Sequence, residues 1–400
     1  MPQNANRWWV LFGLWLVYAS FGLIVTSIAP LVAPIELDLG MSHAAMGSIM
    51  GAWQLVYIFA AIPCGMLLDR LGGRRAMLIG VALVALSVGG RVIAEGYWSF
   101  LVAVMIFGLG GPIISSGAPK MVAELFTGSQ RGLAMGIYMT GPAIGGVITL
   151  SLTNAWLMPL FDNDWRAVLM VWLGVTIAAG LVWLVIGRQV QPAESQALTT
   201  ERVSQIGVMS QLVREPAVQL VLIMSVGVFL FNHGLNNWLV ELLRVGGMDA
   251  ATAGYWATLP TVVGIIGSLL IPRLATQERR FYILVGLCVL ALIASILLRF
   301  NDTIPLSLGL VMQGIARSSM MTVLILTLVE LPGIGDERAG VASGMFFSAA
   351  EIGGVLGPLG MGFLYDMSGG FQSSLSGLTI VAALLAVCGV VLGRLSRNTA

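Results

Sequence analysis

The chain has 400 residues, 58% of them hydrophobic and 10% charged, with a formal net charge of +1. Soluble domains carry about 25% charged residues, so this chain has too few to cover a surface in water, which excludes a soluble enzyme or binding domain. No basic tail or aromatic–basic patch points to nucleic acid, and the net charge itself names no partner.

Apolar runs of roughly 20 or more residues recur along the chain, each enough to cross a bilayer as a helix. Span one, 8–34, is too long for a signal-peptide core and lacks a small-residue cleavage site, so it reads as a retained helix; it carries Tyr18. Span two, 44–68, carries Trp53, Gln54 and Tyr57, and span three, 75–94, ends near Arg91, which is placed to snorkel. Span four, 97–122, holds the sole lysine, Lys120, a turn or two inside its end; span five, 131–157, holds Tyr138 and Thr140, and span six is 166–187. The interruption at 189–216 is the longest, and its second half reads as a short amphipathic helix at the membrane surface. Spans seven to twelve follow at 217–243, 251–272, 280–298, 303–329, 338–363 and 372–394. The expected fold is therefore an all-α polytopic membrane protein with twelve transmembrane helices. Its expected division is an N-terminal six-helix bundle (1–188), a central loop (189–216) and a C-terminal six-helix bundle (217–400).

Twelve spans put both termini on one side. On that side lie Arg7, Arg70, Arg74, Arg75, Arg131, Arg188, Arg202, Arg214, Arg273, Arg279, Arg280, Arg338, Arg394 and Arg397, whereas the opposite loops carry Arg166, Arg244 and Arg299. By the positive-inside rule the termini and central loop are cytoplasmic, in a cell (inner) membrane. Cys64, Cys288 and Cys388 fall inside apolar runs without metal-type spacing and read as small hydrophobes. No metal or cofactor is expected.

The halves echo each other. "GIYMTGPAIGGV" (136–147) aligns on "GMFFSAAEIGGV" (344–355) at a shift of 208, and "GLGGPIISSGAPKMVAEL" (108–125) on "GIARSSMMTVLILTLVEL" (314–331) at 206. Parallel six-helix repeats are a transporter architecture, with the solute held between the halves. "GMLLDRLGGRRAMLIG" (65–80) resembles the signature loop of the major facilitator superfamily, with matches at Gly65, Leu67, Asp69, Arg70, Gly72, Arg74 and Arg75. The resemblance implies two pseudo-symmetric six-helix bundles, with Asp69 pairing across to the second half as a conformational latch beside cytoplasmic Arg70, Arg74 and Arg75. The second-half copy, "GSLLIPRLATQERR" (267–280), lacks the aspartate.

Ionisable groups in hydrocarbon cost about 2.5–3.5 kcal/mol on insertion scales, so they usually meet a partner or a watery cavity. Arg317, Glu351 and His233 all fall near mid-span. Asn232 and Asn236 are four residues apart, as are His233 and Asn237, which places them on adjoining strips of one helical face. Gln313 and Arg317 share a face that Met321 continues, and Phe347 shares one with Glu351. The family resemblance turns these faces towards a substrate path. The candidate substrate-binding residues are Arg317, His233, Asn232, Asn236, Gln313, Tyr18, Trp53, Gln54, Tyr57, Tyr138 and Lys120. Glu351 and His233 are the candidates for coupling protons. The alternatives are structural: Asn and His bonding a neighbouring helix, an Arg317–Glu351 ion pair holding spans ten and eleven together, and aromatic residues that only pack.

"GPAIGG" (141–146) resembles the core of a motif of proton-coupled drug antiporters, although Gly136 sits one residue from where the longer pattern wants it. "APKMVAELFTGSQRGLAMG" (118–136) and "NHGLNNWLVELL" (232–243) resemble the cyanate permease and 2-nitroimidazole transporter branch, whose members carry small, often anionic solutes. No metal-spaced His/Cys set, nucleophile elbow or phosphate-binding loop supports an enzyme, and a sensor would usually add a soluble domain. The expected function is secondary active transport of a small organic anion by alternating access, as proton-coupled uptake. The expected partners are the solute, protons or another coupling ion, and the bilayer, with a monomeric carrier. The rival readings are a proton-coupled drug or metabolite efflux antiporter, and a carrier of a neutral, zwitterionic or cationic solute.

Overall fold

A helix closes its backbone hydrogen bonds within its own segment, which is why apolar stretches immersed in lipid adopt it. The computed structural model describes residues 4–189, 205–331 and 334–398, and all regular structure among them is helical. α1 (Asn4–Thr26) leads through a 3-10 turn at Ala29–Leu31 into α2 (Val32–Leu39), followed by α3 (His43–Val92) and α4 (Tyr97–Leu125). α5 (Gly128–Leu152) continues through a π turn at Thr153–Leu157 into α6 (Met158–Leu160), and α7 (Trp165–Ile186) comes next. α8 (Gln205–Leu212), α9 (Pro216–Val245), α10 (Ala250–Leu274), α11 (Arg280–Leu297), α12 (Thr303–Val329), α13 (Gly335–Ser368) and α14 (Phe371–Asn398) complete the order.

Eleven helical stretches among the described residues are long and apolar enough to cross a membrane. One of them, α3, is 50 residues long and contains one non-helical residue, Gly72, at φ 74° and ψ 157°. That conformation is open to glycine and strained for other residues. The arms on either side, 43–71 and 73–92, are each long enough to cross, which gives twelve crossings. The loop expected at 69–74 thus shrinks to a single residue.

Two predicted spans are interrupted. Span one breaks after Thr26 because Pro30 lacks an N–H and disfavours helix at the residue before it. The hydroxyls of Thr26 and Ser27 turn back on the carbonyls of Gly22 (3.0 Å) and Ile24 (2.8 Å), taking acceptors at the helix end. Span five loses α geometry at Leu152, ahead of Pro159. In the central loop, α8 occupies the segment expected to be a short helix, and residues 190–204 lie outside the described residues.

Close packing groups the described residues into two units, 4–189 with 248–258, and 205–247 with 259–331 and 334–398. In the first unit α3 packs along α4 and α1 along α5; in the second α9 packs along α13, and α11 along α14 and α12. The packing repeats in detail. A Cβ on Gly145 would lie 2.1 Å from Ala19 O and 2.7 Å from Leu23 N, and one on Gly353 would lie 1.9 Å from Val226 O and 2.8 Å from Leu230 N. A Cβ on Gly108 would lie 2.5 Å from Trp53 O, and one on Gly314 2.5 Å from Pro260 O. Every pair maps onto its counterpart at a shift of 206–208. Small residues let these helix backbones touch, so the internal repeat is a repeated set of contacts.

Candidate functional site

The second unit contains a polar cluster built from three helices. Arg317 of α12 donates through Nη1 to Asn236 Oδ1 of α9 (2.5 Å) and through Nη2 to Thr261 Oγ1 of α10 (3.2 Å). Asn232, one turn before Asn236, donates through Nδ2 to the backbone oxygen of Arg317 (3.3 Å). The helical spacing that put Asn232 and Asn236 on one face thus brings both to Arg317. Thr261 was not singled out from sequence, because a threonine in a membrane helix usually bonds its own backbone and attracts no notice.

Every side-chain hydrogen-bond partner of Arg317 is neutral, and among the described residues no carboxylate lies within ion-pair distance of it. The Arg317–Glu351 ion pair considered from sequence is absent. Glu351 of α13 is 7% exposed, and its Oε2 is buried without a hydrogen-bond partner. Gln313, one turn before Arg317, is fully buried with neither Nε2 nor Oε1 partnered, and Asn232 Oδ1 is likewise buried and unpartnered. His233 stacks obliquely near Phe229 (centroids 5.4 Å). Asn237 donates to His233 O (2.8 Å), bonding its own helix instead of a neighbour.

The first unit gathers its predicted aromatic residues, Tyr18, Trp53, Tyr57 and Tyr138, into one cluster. Tyr18 lies 5.5 Å from Tyr138 and 5.8 Å from Phe21; Phe21 lies 5.2 Å from Phe107, which is 5.5 Å from Trp53. Trp53 meets Tyr57 edge-on at 6.2 Å, and the Tyr57 hydroxyl bonds Ser115 Oγ at 3.0 Å. Phe21 and Phe107 link rings that sequence had placed separately. Gln54, beside Trp53 on α3, is fully buried. Thr140 accepts from Trp15 Nε1 at 2.9 Å.

Lys120 of the first unit is engaged in an ion pair. Its Nζ bonds Asp69 Oδ1 at 2.5 Å, and the Asp69 side chain is 72% exposed. Asp69 of α3 and Lys120 of α4 thus form an ion pair within the first unit. Arg70 and Arg75 are exposed beside the Gly72 break, and Arg74 is half-buried, its carbonyl accepting from Trp183 Nε1 (3.2 Å). Arg91 does not snorkel: it is 1% exposed, donates to Ser27 Oγ (3.3 Å) and sits 5.6 Å from the Phe107 ring centre. It lies in the last turn of α3 against the break that ends α1, where helix C-termini favour a cation.

The family model of the Major Facilitator Superfamily matches residues 14–358. The chain is 24% identical to the uncharacterized transporter YycB of Bacillus subtilis (strain 168), over 96% of this chain and 94% of that one. It is 24% identical to a quinolone resistance transporter of Acinetobacter baumannii, over 86% and 84% of the two chains. It is also 24% identical to the probable anion transporter 4, chloroplastic, of Arabidopsis thaliana, over 94% and 74%. Among solved structures, an inward-facing, unoccupied bacterial homolog of the human lysosomal transporter Spinster aligns with a TM-score of 0.80 at 17% identity, covering 99% of both chains. The signature loop, the repeated helix contacts and the family match agree: this chain belongs to the Major Facilitator Superfamily, and it is a multi-pass membrane transporter of small solutes, not an enzyme.

Proposed function

We propose that the protein is a secondary active transporter that takes up a small organic anion by alternating access, coupled to protons. The observation that carries this reading is the unneutralised guanidinium of Arg317, held by Asn236 and Thr261 within a membrane helix. A cation there costs about 2.5–3.5 kcal/mol on insertion scales, and a bound carboxylate offsets that cost while gaining a two-point hydrogen bond. The likeness to a probable anion transporter points the same way. Glu351, buried without a cation, is the group we assign to the proton, with His233, on α9 between Asn232 and Asn236, as its accessory. Asp69 and the arginines of the signature loop act as the latch, its contact with Lys120 belonging to one end state. The arginine distribution supports cytoplasmic termini in the inner membrane.

The quinolone resistance relative and the "GPAIGG" stretch favour a second reading, proton-coupled drug efflux. A cationic drug meets Arg317 as a like charge, so the anion reading takes precedence. The test is uptake of a labelled carboxylate into proteoliposomes under an imposed inward proton gradient. Wild type accumulates it, and Glu351→Gln allows equilibration without accumulation. Gradient-driven accumulation by Glu351→Gln at the wild-type level removes Glu351 from coupling, and anion movement only against the proton flux establishes the efflux reading.

A further inference from the structure

Beside Arg317 stand amides whose buried atoms have nothing to bond. Asn232 commits its Nδ2 to the backbone oxygen of Arg317, which fixes the orientation of the amide and leaves Oδ1 buried without a partner. Gln313, one turn earlier on α12, has both amide atoms buried and unpartnered. Asn236 and Thr261 supply two further neutral polar groups, already on the guanidinium. A buried polar atom left unpaired costs about as much as a lost hydrogen bond, so these atoms select what lies against them.

We infer that the transported anion is a hydroxylated monocarboxylate, its carboxylate on Arg317 and its hydroxyls on Asn232 and Gln313. This rests on the anion reading and specifies its substrate class. A hydroxyl both donates and accepts, so it satisfies Asn232 Oδ1 and either face of the Gln313 amide. An alkyl chain satisfies neither. A second carboxylate offers only acceptors, which face the fixed Oδ1 of Asn232 lone pair to lone pair. Sites built to bond a substrate hydroxyl reject the analogue lacking it more strongly than apolar pockets discriminate by size, because their polar groups are then stranded.

The experiment is a binding titration, read by intrinsic tryptophan fluorescence or thermal stability, on the purified full-length protein in nanodiscs with four six-carbon probes: gluconate, hexanoate, glucose and glucarate. Gluconate is expected to bind at least about tenfold more tightly than hexanoate, and more tightly than glucarate, with glucose weakest. Hexanoate equal to gluconate, or glucarate tighter than gluconate, overturns the hydroxyl assignment and leaves the anion reading standing. Glucose as tight as gluconate, or no binding by any carboxylate, overturns the anion reading itself. Gln313→Met and Asn232→Leu are each expected to compress the gluconate-to-hexanoate ratio towards one. A wild-type ratio retained in both overturns the inference, and the wild-type ratio alone decides if either variant fails to fold.

Discussion

Arg317 and Lys120 show how far neighbours decide what a cation does. Arg317 faces only neutral groups, whereas Lys120 is bonded to Asp69. Replacing Arg317 with Lys keeps the charge but loses the planar fork that grips a carboxylate at two points, so KM for the anion should rise by about tenfold with transport retained. Lys120→Ala should instead change turnover while KM stays within about twofold, because Lys120 is committed to the Asp69 carboxylate of the proposed latch; steady-state uptake kinetics separate the two. Arg317, Glu351, His233 and the asparagines stood out in the sequence because polar groups in membrane helices are rare. Thr261 did not, and Arg91 misled: near a span end it looked free to snorkel. Its burial goes with contacts the sequence did not show, to Ser27 at the chain break after Thr26 and to the Phe107 ring.

At the scale of elements, glycine contacts determine how closely helices approach. Gly353→Ala must move its Cβ away from Val226 O, which lies in the backbone of α9, so overpacking should destabilise the protein by about 1–3 kcal/mol. Gly344→Ala, on the same helix with nothing within 4 Å, should leave the melting temperature nearly unchanged. Gly72 is a different case: no atom crowds its Cβ, but its φ of 74° disfavours any side chain. Gly72→Ala should therefore lower the melting temperature through backbone strain alone. Apolar periodicity located the crossings because each must be long enough to span lipid. It did not show the breaks after Thr26 and Leu152, since the residues on both sides are equally apolar and prolines are common in membrane helices. The continuity of α3 was hidden for the opposite reason: a charged stretch reads as a loop even when one glycine suffices to turn it.

For the whole molecule, the offset of 206–208 residues was visible in two short alignments, and it reappears as matched helix contacts at Gly145 and Gly353 and at Gly108 and Gly314. The polar chemistry does not follow the repeat. The position matching Arg317 in the first half is Gly111, and that matching Gln313 is Phe107, within the aromatic cluster. The sequence repeat therefore showed the scaffold, while what breaks the repeat differs within each unit: a charged, amide-lined cluster in the second and a cluster of rings in the first. Counterflow is the most direct measurement of whether that asymmetry serves an anion. Proteoliposomes loaded with unlabelled gluconate are diluted into labelled gluconate, and the wild-type protein should give a transient overshoot that Arg317→Gln reduces by at least about tenfold. An overshoot of wild-type size in Arg317→Gln would contradict the role of Arg317 as the anion's partner.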